Sequence, residues 1–367
     1  MASTGAQRKL DPTIRSKETK LLVQQFTNKV VGQEKATKIL VDIFESFKAG
    51  FVLPDKPAGN ALFLGPTGTG KTHVVETFAE SLFGTKRACI RIDCAEFQHS
   101  HEIAKLIGSP PGYLGHRETH PALEQEVLDK YHTDSLKLSI LLFDEIEKAS
   151  DALWSLLLGV LDKASVTLGD NRKVNFCNTI IVMTSNLGAR EMANRGIGFA
   201  EMDNEEKDQV RLEQIAVSAA KSKFTPEFMN RIQNIVTFTS LNQIQMEKIL
   251  EFELRDFAYQ LYVMSNPLIV QADLISGDPT KQNRVPIPRF EFFVSPAAKR
   301  ALLKEGFSKE YGARPIKRAV EKYVQGPITK LILSEQIVKD DHIIIDYHEE
   351  VGYEYISQGA PITNERS

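Results

Sequence analysis

Five short apolar runs recur along the chain, and segments with helical spacing of apolar residues separate them. The runs are ALFL (61–64), ACIRI (88–92), SILLF (139–143), TIIVM (179–183) and IVTF (235–238). Apolar runs without polar alternation are typical of strands that are buried on both faces of a parallel sheet. The pattern therefore predicts an α/β fold in which a parallel five-stranded sheet lies between helices.

A change of pattern after Ser240 predicts a second, smaller domain. A long helical pattern begins there, and strands are expected near 290–294 and 342–347 among further helices. We expect this domain to be mostly helical. The predicted organisation is a flexible N-terminal arm over 1–20, a large α/β domain over 21–240, a small C-terminal domain over 241–350 and a tail over 351–367.

Composition narrows the class of partner. Lys+Arg 45 and Asp+Glu 48 leave a net charge of -3 over 367 residues, which argues against general binding to nucleic acid or to an anionic membrane. Cys89, Cys94 and Cys177 contain no Cys-x-x-Cys pair, as is usual in a reducing compartment. No stretch approaches the ~18 apolar residues of a membrane span. We expect a cytoplasmic protein without nucleic-acid or membrane partners.

The segment GPTGTGKT, residues 65–72, fits the phosphate-loop pattern Gly-x-x-x-x-Gly-Lys-Ser/Thr. It follows a predicted strand and opens a predicted helix, which is the context that the motif requires. Its glycines let backbone N–H groups turn toward phosphate oxygens, Lys71 reaches the β- and γ-phosphates, and Thr72 ligates Mg²⁺. The predicted cofactors are ATP and Mg²⁺, and the predicted binding residues of the loop are Gly65, Pro66, Thr67, Gly68, Thr69, Gly70, Lys71 and Thr72.

Polar side chains follow two other predicted strands. Asp144 and Glu145 end the strand SILLF, where Asp144 can hold Mg²⁺ through water and Glu145 can orient and polarise the attacking water. Asn186 ends the strand TIIVM and can position the same water. Asparagine at the end of a strand also forms turns, so a structural role for Asn186 stays open.

Seven motifs in order resemble those of a known family. They are VVGQEKA, GPTGTGKT, GSPPGYLG, LLFDEIEKA, TSNLGA, FTPEFMNRI and EYGARPIKRA, between about Val30 and Asp346. They resemble the AAA+ ATPases, and within them the Clp/heat-shock unfoldases, especially the C-terminal ATPase module of the ClpB-type disaggregases. The resemblance implies a P-loop NTPase fold of the AAA+ type, hydrolysis of ATP to ADP and phosphate, and hexameric rings with ATP between subunits.

The same resemblance implies roles for four more residues near the nucleotide. Arg231 matches the arginine finger that reaches the γ-phosphate of a neighbouring subunit, although a surface arginine in an ion pair is the alternative. Arg314 matches the arginine that senses the nucleotide bound to its own subunit. Val30 and Val31 match the segment beside the adenine.

The GYLG segment resembles the loop that lines the central channel of these rings. Tyr113 and Leu114 would then grip an extended polypeptide, because an exposed aromatic ring contacts any side chain without reading its sequence. The alternative is a Pro/Gly turn whose tyrosine packs on its own domain.

The function that these features predict is an ATP-dependent, ring-forming unfoldase or remodelling chaperone that pulls polypeptide through a pore. An ATP-switched assembly module that threads nothing is the alternative. A nucleic-acid motor would also fit the ATPase motifs, but it does not explain GYLG and the sequence has no basic run. The expected partners are further copies of the chain, a protein client, and an adaptor or a peptidase. Ile197, Gly198 and Phe199 resemble a peptidase-docking loop, and the long segment 266–288 is predicted to contact a partner. The sequence contains one such ATPase module, so we expect a narrow client range.

Overall fold

The computed structural model describes residues 11, 13–109, 121–189, 191–192, 205–265, 287–306 and 312–359. The chain divides into two compact units. One comprises Met1–Pro66 and Gly70–Thr239, and the other comprises Thr67–Thr69 and Ser240–Ser367.

A five-stranded parallel sheet forms the centre of the first unit. Its strand order is β2-β3-β6-β1-β7, and every neighbouring pair is parallel. A separate hairpin joins β4 to β5. The strands are β1 (Gly59–Leu64), β2 (Cys89–Asp93), β3 (Ser139–Asp144), β4 (Ser165–Thr167), β5 (Lys173–Asn175), β6 (Thr179–Ser185) and β7 (Asn234–Thr237). The five apolar runs are the five strands of the sheet, so the predicted α/β fold is confirmed.

Both faces of the sheet are buried. Along β1, Leu62 and Leu64 belong to one apolar cluster, whereas Ala61 and Phe63 belong to another. Strands β1, β3 and β6 are buried at every position. Successive side chains of a strand point to opposite faces of the sheet. A strand that is covered on both faces therefore needs apolar residues at odd and at even positions alike. That requirement explains why the sequence shows runs here instead of alternation.

Each helix of the first unit contributes buried residues to one of the two apolar clusters that also contain the strands of the sheet. The helices are α1 (Lys17–Thr27), α2 (Glu34–Lys48), α3 (Lys71–Phe83), α4 (Ala104–Ile107), α5 (Gln125–Asp129), α6 (Asp151–Lys163), α7 (Glu205–Lys223) and α8 (Pro226–Arg231). Helix α1 begins inside the predicted arm, because the Ser16 hydroxyl caps it by accepting from the Thr19 N–H at 3.1 Å. None of the helices in the described part of the chain has the length and apolar character needed to cross a membrane.

The second unit packs helices against a small sheet of order β10-β9-β8. Helix α9 has its buried residues on one face, at spacings of three and four. The elements are α9 (Gln243–Ser265), β8 (Phe290–Val294), α10 (Pro296–Gly306), α11 (Arg314–Val320), a π-helical turn (Glu321–Gln325), α12 (Gly326–Leu333), β9 (Asp341–His348) and β10 (Gly352–Ser357). The smaller, helix-rich C-terminal region therefore agrees with the predicted fold class.

The tail predicted over 351–367 is wrong for its first residues. Gly352–Ser357 form β10, which pairs antiparallel with β9. Tyr353 stacks on Tyr323 with ring centroids 4.4 Å apart, and the Tyr355 hydroxyl donates to the Tyr323 carbonyl oxygen at 2.8 Å. Alternating tyrosines thus bring this segment onto the helical layer, a period-two signal too short to stand out from the sequence.

The register of the parallel sheet brings the ends of its strands together. Asp93 lies opposite Asp144, and Leu64 lies opposite both Ser185 and Thr237. Because the strands are parallel, the segments that follow β1, β3 and β6 leave the sheet on the same side, at the carboxyl ends of the strands. Those segments carry the phosphate loop, Glu145 and Asn186.

Candidate functional site

The glycine-rich segment after β1 leads directly into helix α3. Gly70 precedes Lys71 and has a left-handed backbone with φ of +97°. The first N–H groups of a helix lack partners inside it and lie at the positive end of its dipole. An anionic phosphate would be stabilised at this helix start, so phosphate binding by the loop stays a prediction.

Gly65 is tied to the sheet by close backbone packing. Its N–H donates to the Ser185 carbonyl oxygen at 3.2 Å, and its φ is +143°. A Cβ atom at Gly65 would lie 2.3 Å from the Phe238 carbonyl oxygen. Both the conformation and the space at this position therefore require glycine.

We expect Gly65→Ala to lower the free energy of unfolding by about 3 kcal/mol or more, because the new methyl group meets backbone that cannot move cheaply. Urea unfolding of the two proteins measures this difference. Gly84→Ala is the matched control, since Gly84 has φ of +74° but nothing within 4 Å of its Cβ position. The control is expected to lose only roughly 1–2 kcal/mol. Equal losses in the two variants would contradict the assigned overlap.

The ammonium group of Lys71 connects the phosphate loop to β6. Its Nζ donates to the carbonyl oxygens of Gly65 and Pro66 at 2.7 and 2.8 Å, and to Asn186 Oδ1 at 2.9 Å. The residue is buried, so the charge depends on these oxygens. Two residues that were predicted from separate motifs, Lys71 and Asn186, are thus in direct contact.

Asp144 is a buried carboxylate with three partners. Its oxygens accept from the Thr72 hydroxyl at 3.2 and 3.3 Å and from the Thr184 hydroxyl. Arg91 forms an ion pair with it, with Nη2 2.6 Å from Oδ2. The contact with Thr72 joins two residues that were predicted to hold Mg²⁺. Thr184 and Arg91 were missed, although a lone charge between Ile90 and Ile92 was a visible signal for the latter.

Glu145 adopts an unusual backbone conformation directly after β3. Its φ is +57°, which is uncommon for a residue other than glycine. The Glu145 N–H donates to the Thr184 hydroxyl oxygen at 3.1 Å, while that hydroxyl donates to Asp144. One threonine therefore fixes both the carboxylate of Asp144 and the turn that aims Glu145.

Two side chains hold the Glu145 carboxylate. Asn186 Nδ2 donates to Oε1 at 3.1 Å, and Lys148 forms an ion pair with Oε2. The hydrogen bond to Glu145 raises the pKa of Lys148 above its usual value, so the ammonium charge is stabilised there. Asn186 also donates its backbone N–H to Glu147 Oε1 at 3.0 Å. Lys148 and Glu147 are further neighbours of the site that the motif analysis missed.

Arg231 is paired within its own chain. Its Nη1 lies 2.9 Å from Asp162 Oδ1, and Lys56 Nζ lies 2.7 Å from the same oxygen. The hydrogen bond from Lys56 and the charge of Arg231 hold the pKa of Asp162 below its usual value. The ion pair is the alternative that the sequence left open for Arg231, and the arginine-finger role stays a prediction.

Val30, Val31 and Arg314 were predicted from the family resemblance alone. Val30 is half-buried against the apolar cluster that contains Phe63, and Val31 is half-buried beside it in sequence. Arg314 begins α11 in the second unit. The N–H of Ala313, which precedes Arg314, donates to the Gly68 carbonyl oxygen of the phosphate loop at 3.0 Å. Tyr113 and Leu114 lie outside the described residues, as do Ile197, Gly198, Phe199 and most of segment 266–288.

The cysteines do not contribute to the cluster. Cys89 and Cys94 are buried, and burial raises the pKa of both thiols above the usual value. Over the described residues, no group of three or more His, Cys, Asp or Glu side chains is arranged to hold a metal ion. Oxygen ligands for Mg²⁺ would instead come from Thr72 and phosphate, and Asp144 would hold the ion through water.

Comparison with known proteins matches both parts of the chain. Residues 56–235 match the family model described as AAA domain (Cdc48 subfamily). Residues 282–345 match the model of the C-terminal, D2-small domain of ClpB protein. The first model covers the strands from β1 to the start of β7 and includes Lys71, Thr72, Asp144, Glu145 and Asn186, which we call the edge cluster. The second covers about half of the smaller unit.

Similar whole proteins are known. The ClpC ATP-binding subunit of the ATP-dependent Clp protease from Staphylococcus saprophyticus is 34% identical over 323 residues, which is 87% of this chain and 35% of that protein. ClpC from Staphylococcus epidermidis is 33% identical over 322 residues, again 87% and 35%. The chain therefore spans about a third of the length of these relatives.

A solved structure extends the comparison to the fold. The closed-state reconstruction of Hsp104 with ATPγS and FITC casein has a TM-score of 0.71 and 27% sequence identity, over 94% of this chain and 53% of that chain. The phosphate loop, the carboxylates after β3 and the two family models agree with this likeness. The chain belongs to the AAA+ ATPases, in their Clp/ClpB-type branch.

Proposed function

We propose that the chain binds Mg²⁺-ATP at the edge cluster and hydrolyses it. The observation that carries the proposal is the convergence of Lys71, Thr72, Asp144, Glu145 and Asn186 at the carboxyl ends of three parallel strands. A hydroxyl and a carboxylate are the oxygen donors that Mg²⁺ prefers, so this donor set fits the ion. When bound, Mg²⁺ would neutralise charge on the phosphate oxygens.

The residues of the cluster have separate tasks in this proposal. Lys71 exchanges carbonyl oxygens for phosphate oxygens, and its buried ammonium group is already partly dehydrated. Glu145 orients and polarises the attacking water. Asn186 touches both Lys71 and Glu145, so it aligns the water-activating carboxylate with the phosphate-binding ammonium group. Thr184 holds the Asp144 carboxylate and the backbone turn at Glu145 in fixed positions relative to each other.

We further propose that ATP turnover drives remodelling of a protein client by a ring of copies of the chain. Support comes from the relatives, since ClpC is named as part of an ATP-dependent protease and the Hsp104 structure contains casein, a protein. The same proposal includes a hexameric ring, in which Arg231 acts on a neighbouring subunit and Arg314, Val30 and Val31 lie at the nucleotide. It also includes an adaptor or peptidase partner and a cytoplasmic location.

An ATP-switched module that threads nothing is the second candidate. The pairing of Arg231 with Asp162 in its own chain favours it, because a switch needs no arginine from a neighbour. The two candidates differ in what they require of Tyr113.

We expect Tyr113→Ala to abolish remodelling of a client while retaining most of the ATPase rate. The variant removes the aromatic ring proposed to hold the polypeptide and leaves the nucleotide-site residues unchanged. ATP-dependent unfolding of a tagged fluorescent protein, measured beside phosphate release, tests this. Tyr259→Ala is the control, since Tyr259 is an exposed tyrosine on α9 of the second unit. Full remodelling by Tyr113→Ala would favour the switch.

A further inference from the structure

Arg91 is a cation at the edge cluster that the proposed mechanism does not use. It lies on β2, the edge strand beside β3, and its guanidinium group lies between two carboxylates. Nη2 is 2.6 Å from Asp144 Oδ2, and Nη1 is 3.9 Å from Glu76 Oε1 on helix α3. Arg91 therefore has a close acid partner in the site and a more distant one beside it.

The two acids differ in their need for a cation. The Asp144 side chain is 9% exposed, whereas that of Glu76 is 31% exposed. An ionised carboxylate that is nearly dry is strongly destabilised unless a positive charge accompanies it. The hydroxyls of Thr72 and Thr184 donate hydrogen bonds to Asp144 but bring no charge. Arg91 supplies that charge in this structure.

Arg91 occupies a carboxylate oxygen of Asp144 that the proposed Mg²⁺ site would use. A magnesium-bound water held by Asp144 needs a carboxylate oxygen, and Arg91 is bonded to Oδ2. Arg91 can also leave, because its own side chain is 48% exposed and Glu76 offers it a second partner.

We propose that Arg91 competes with Mg²⁺ for Asp144 and thereby sets the Mg²⁺ concentration that nucleotide binding requires. Arg91 neutralises Asp144 until the metal binds and then moves toward Glu76. This inference rests on the proposed nucleotide site. The opposing role, in which Arg91 only aligns Asp144 for the metal, predicts effects of opposite sign.

The test is a Mg²⁺ titration of labelled ADP binding, which involves no hydrolysis. Arg91→Gln removes the competing charge and is expected to lower the half-saturating Mg²⁺ concentration by about tenfold. The effect is modest because solvent partly screens the interaction between the two charges. Arg91→Lys keeps the charge and is expected to lie nearer the unmodified chain. Arg87→Gln, with the same charge change at an exposed position nearby, is the control and is expected to change nothing.

Glu76→Gln provides an independent test with the opposite sign. It removes the second partner of Arg91, so Arg91 stays on Asp144 and the required Mg²⁺ concentration rises. This variant decides the matter if Arg91→Gln does not fold. An unchanged or higher Mg²⁺ requirement in Arg91→Gln, or a lower one in Glu76→Gln, overturns the inference. Failure of the unmodified chain to bind ADP at any Mg²⁺ concentration would instead contradict the proposed nucleotide site.

Discussion

Glu145→Gln should reduce the ATP hydrolysis rate by about a thousandfold while nucleotide binding is retained, because the carboxylate that polarises the water is lost. Glutamine has the same shape and keeps an oxygen that can accept from Asn186 Nδ2, so the turn after β3 is preserved. Lys71, Thr72 and Asp144 are unchanged. Phosphate release measures the rate, and titration with labelled ATP measures the affinity.

The control for this variant is Glu96→Gln, the same substitution at an exposed residue of the same unit. It is expected to hydrolyse ATP at the unmodified rate. A Glu145→Gln chain that hydrolyses normally would remove Glu145 from the mechanism. A chain that no longer binds ATP would mean that Glu145 supports the fold of the site instead. Because the variant should retain ATP, its mass in solution with and without ATP also reports on assembly, with about six subunits expected in a closed ring.

Arg231→Ala should lower the hydrolysis rate by about a thousandfold if the guanidinium group neutralises transition-state charge in a neighbouring subunit. The same substitution removes the ion pair with Asp162. A half-exposed pair of this kind contributes at most about 1 kcal/mol to folding. A large loss of rate with little loss of stability therefore separates the two roles of Arg231.

Mixing distinguishes action on a neighbour from action within one chain. Arg231→Ala and Glu145→Gln chains are each inactive alone in this scheme, but a mixed ring contains sites with an intact Glu145 and a neighbour's intact Arg231. Partial recovery of hydrolysis on mixing is expected. Lys56→Ala is the control, because it removes the other cation on Asp162 and leaves Arg231 in place. Lost activity without recovery would place the action of Arg231 inside its own chain, and an unchanged rate would leave it as a surface ion pair.

Much of the large unit was predictable because its signals are local. A strand buried on both faces must be apolar along its length, and the runs in the three inner strands β1, β3 and β6, which are buried at every position, follow this rule. Strand β10 was missed because its signal is a brief alternation of Tyr353 and Tyr355 next to a glycine. Its stability depends on β9 and on Tyr323, which is distant in sequence.

In the candidate site, too, the motifs were predictable from local sequence, whereas the contacts between them were not. Consecutive residues specify the phosphate loop, the acids after β3 and the asparagine after β6, since the glycine spacing and the strand-end positions can be read directly from the chain. The partners of these groups depend on strand order and on the direction of each side chain, which arise only when the whole sheet packs. Arg91 reaches Asp144 because β2 lies beside β3, and Thr184 bridges Asp144 and Glu145 because β6 lies on the other side. Arg231 meets Asp162 through tertiary packing of α8 against α6, a contact that no local pattern encodes.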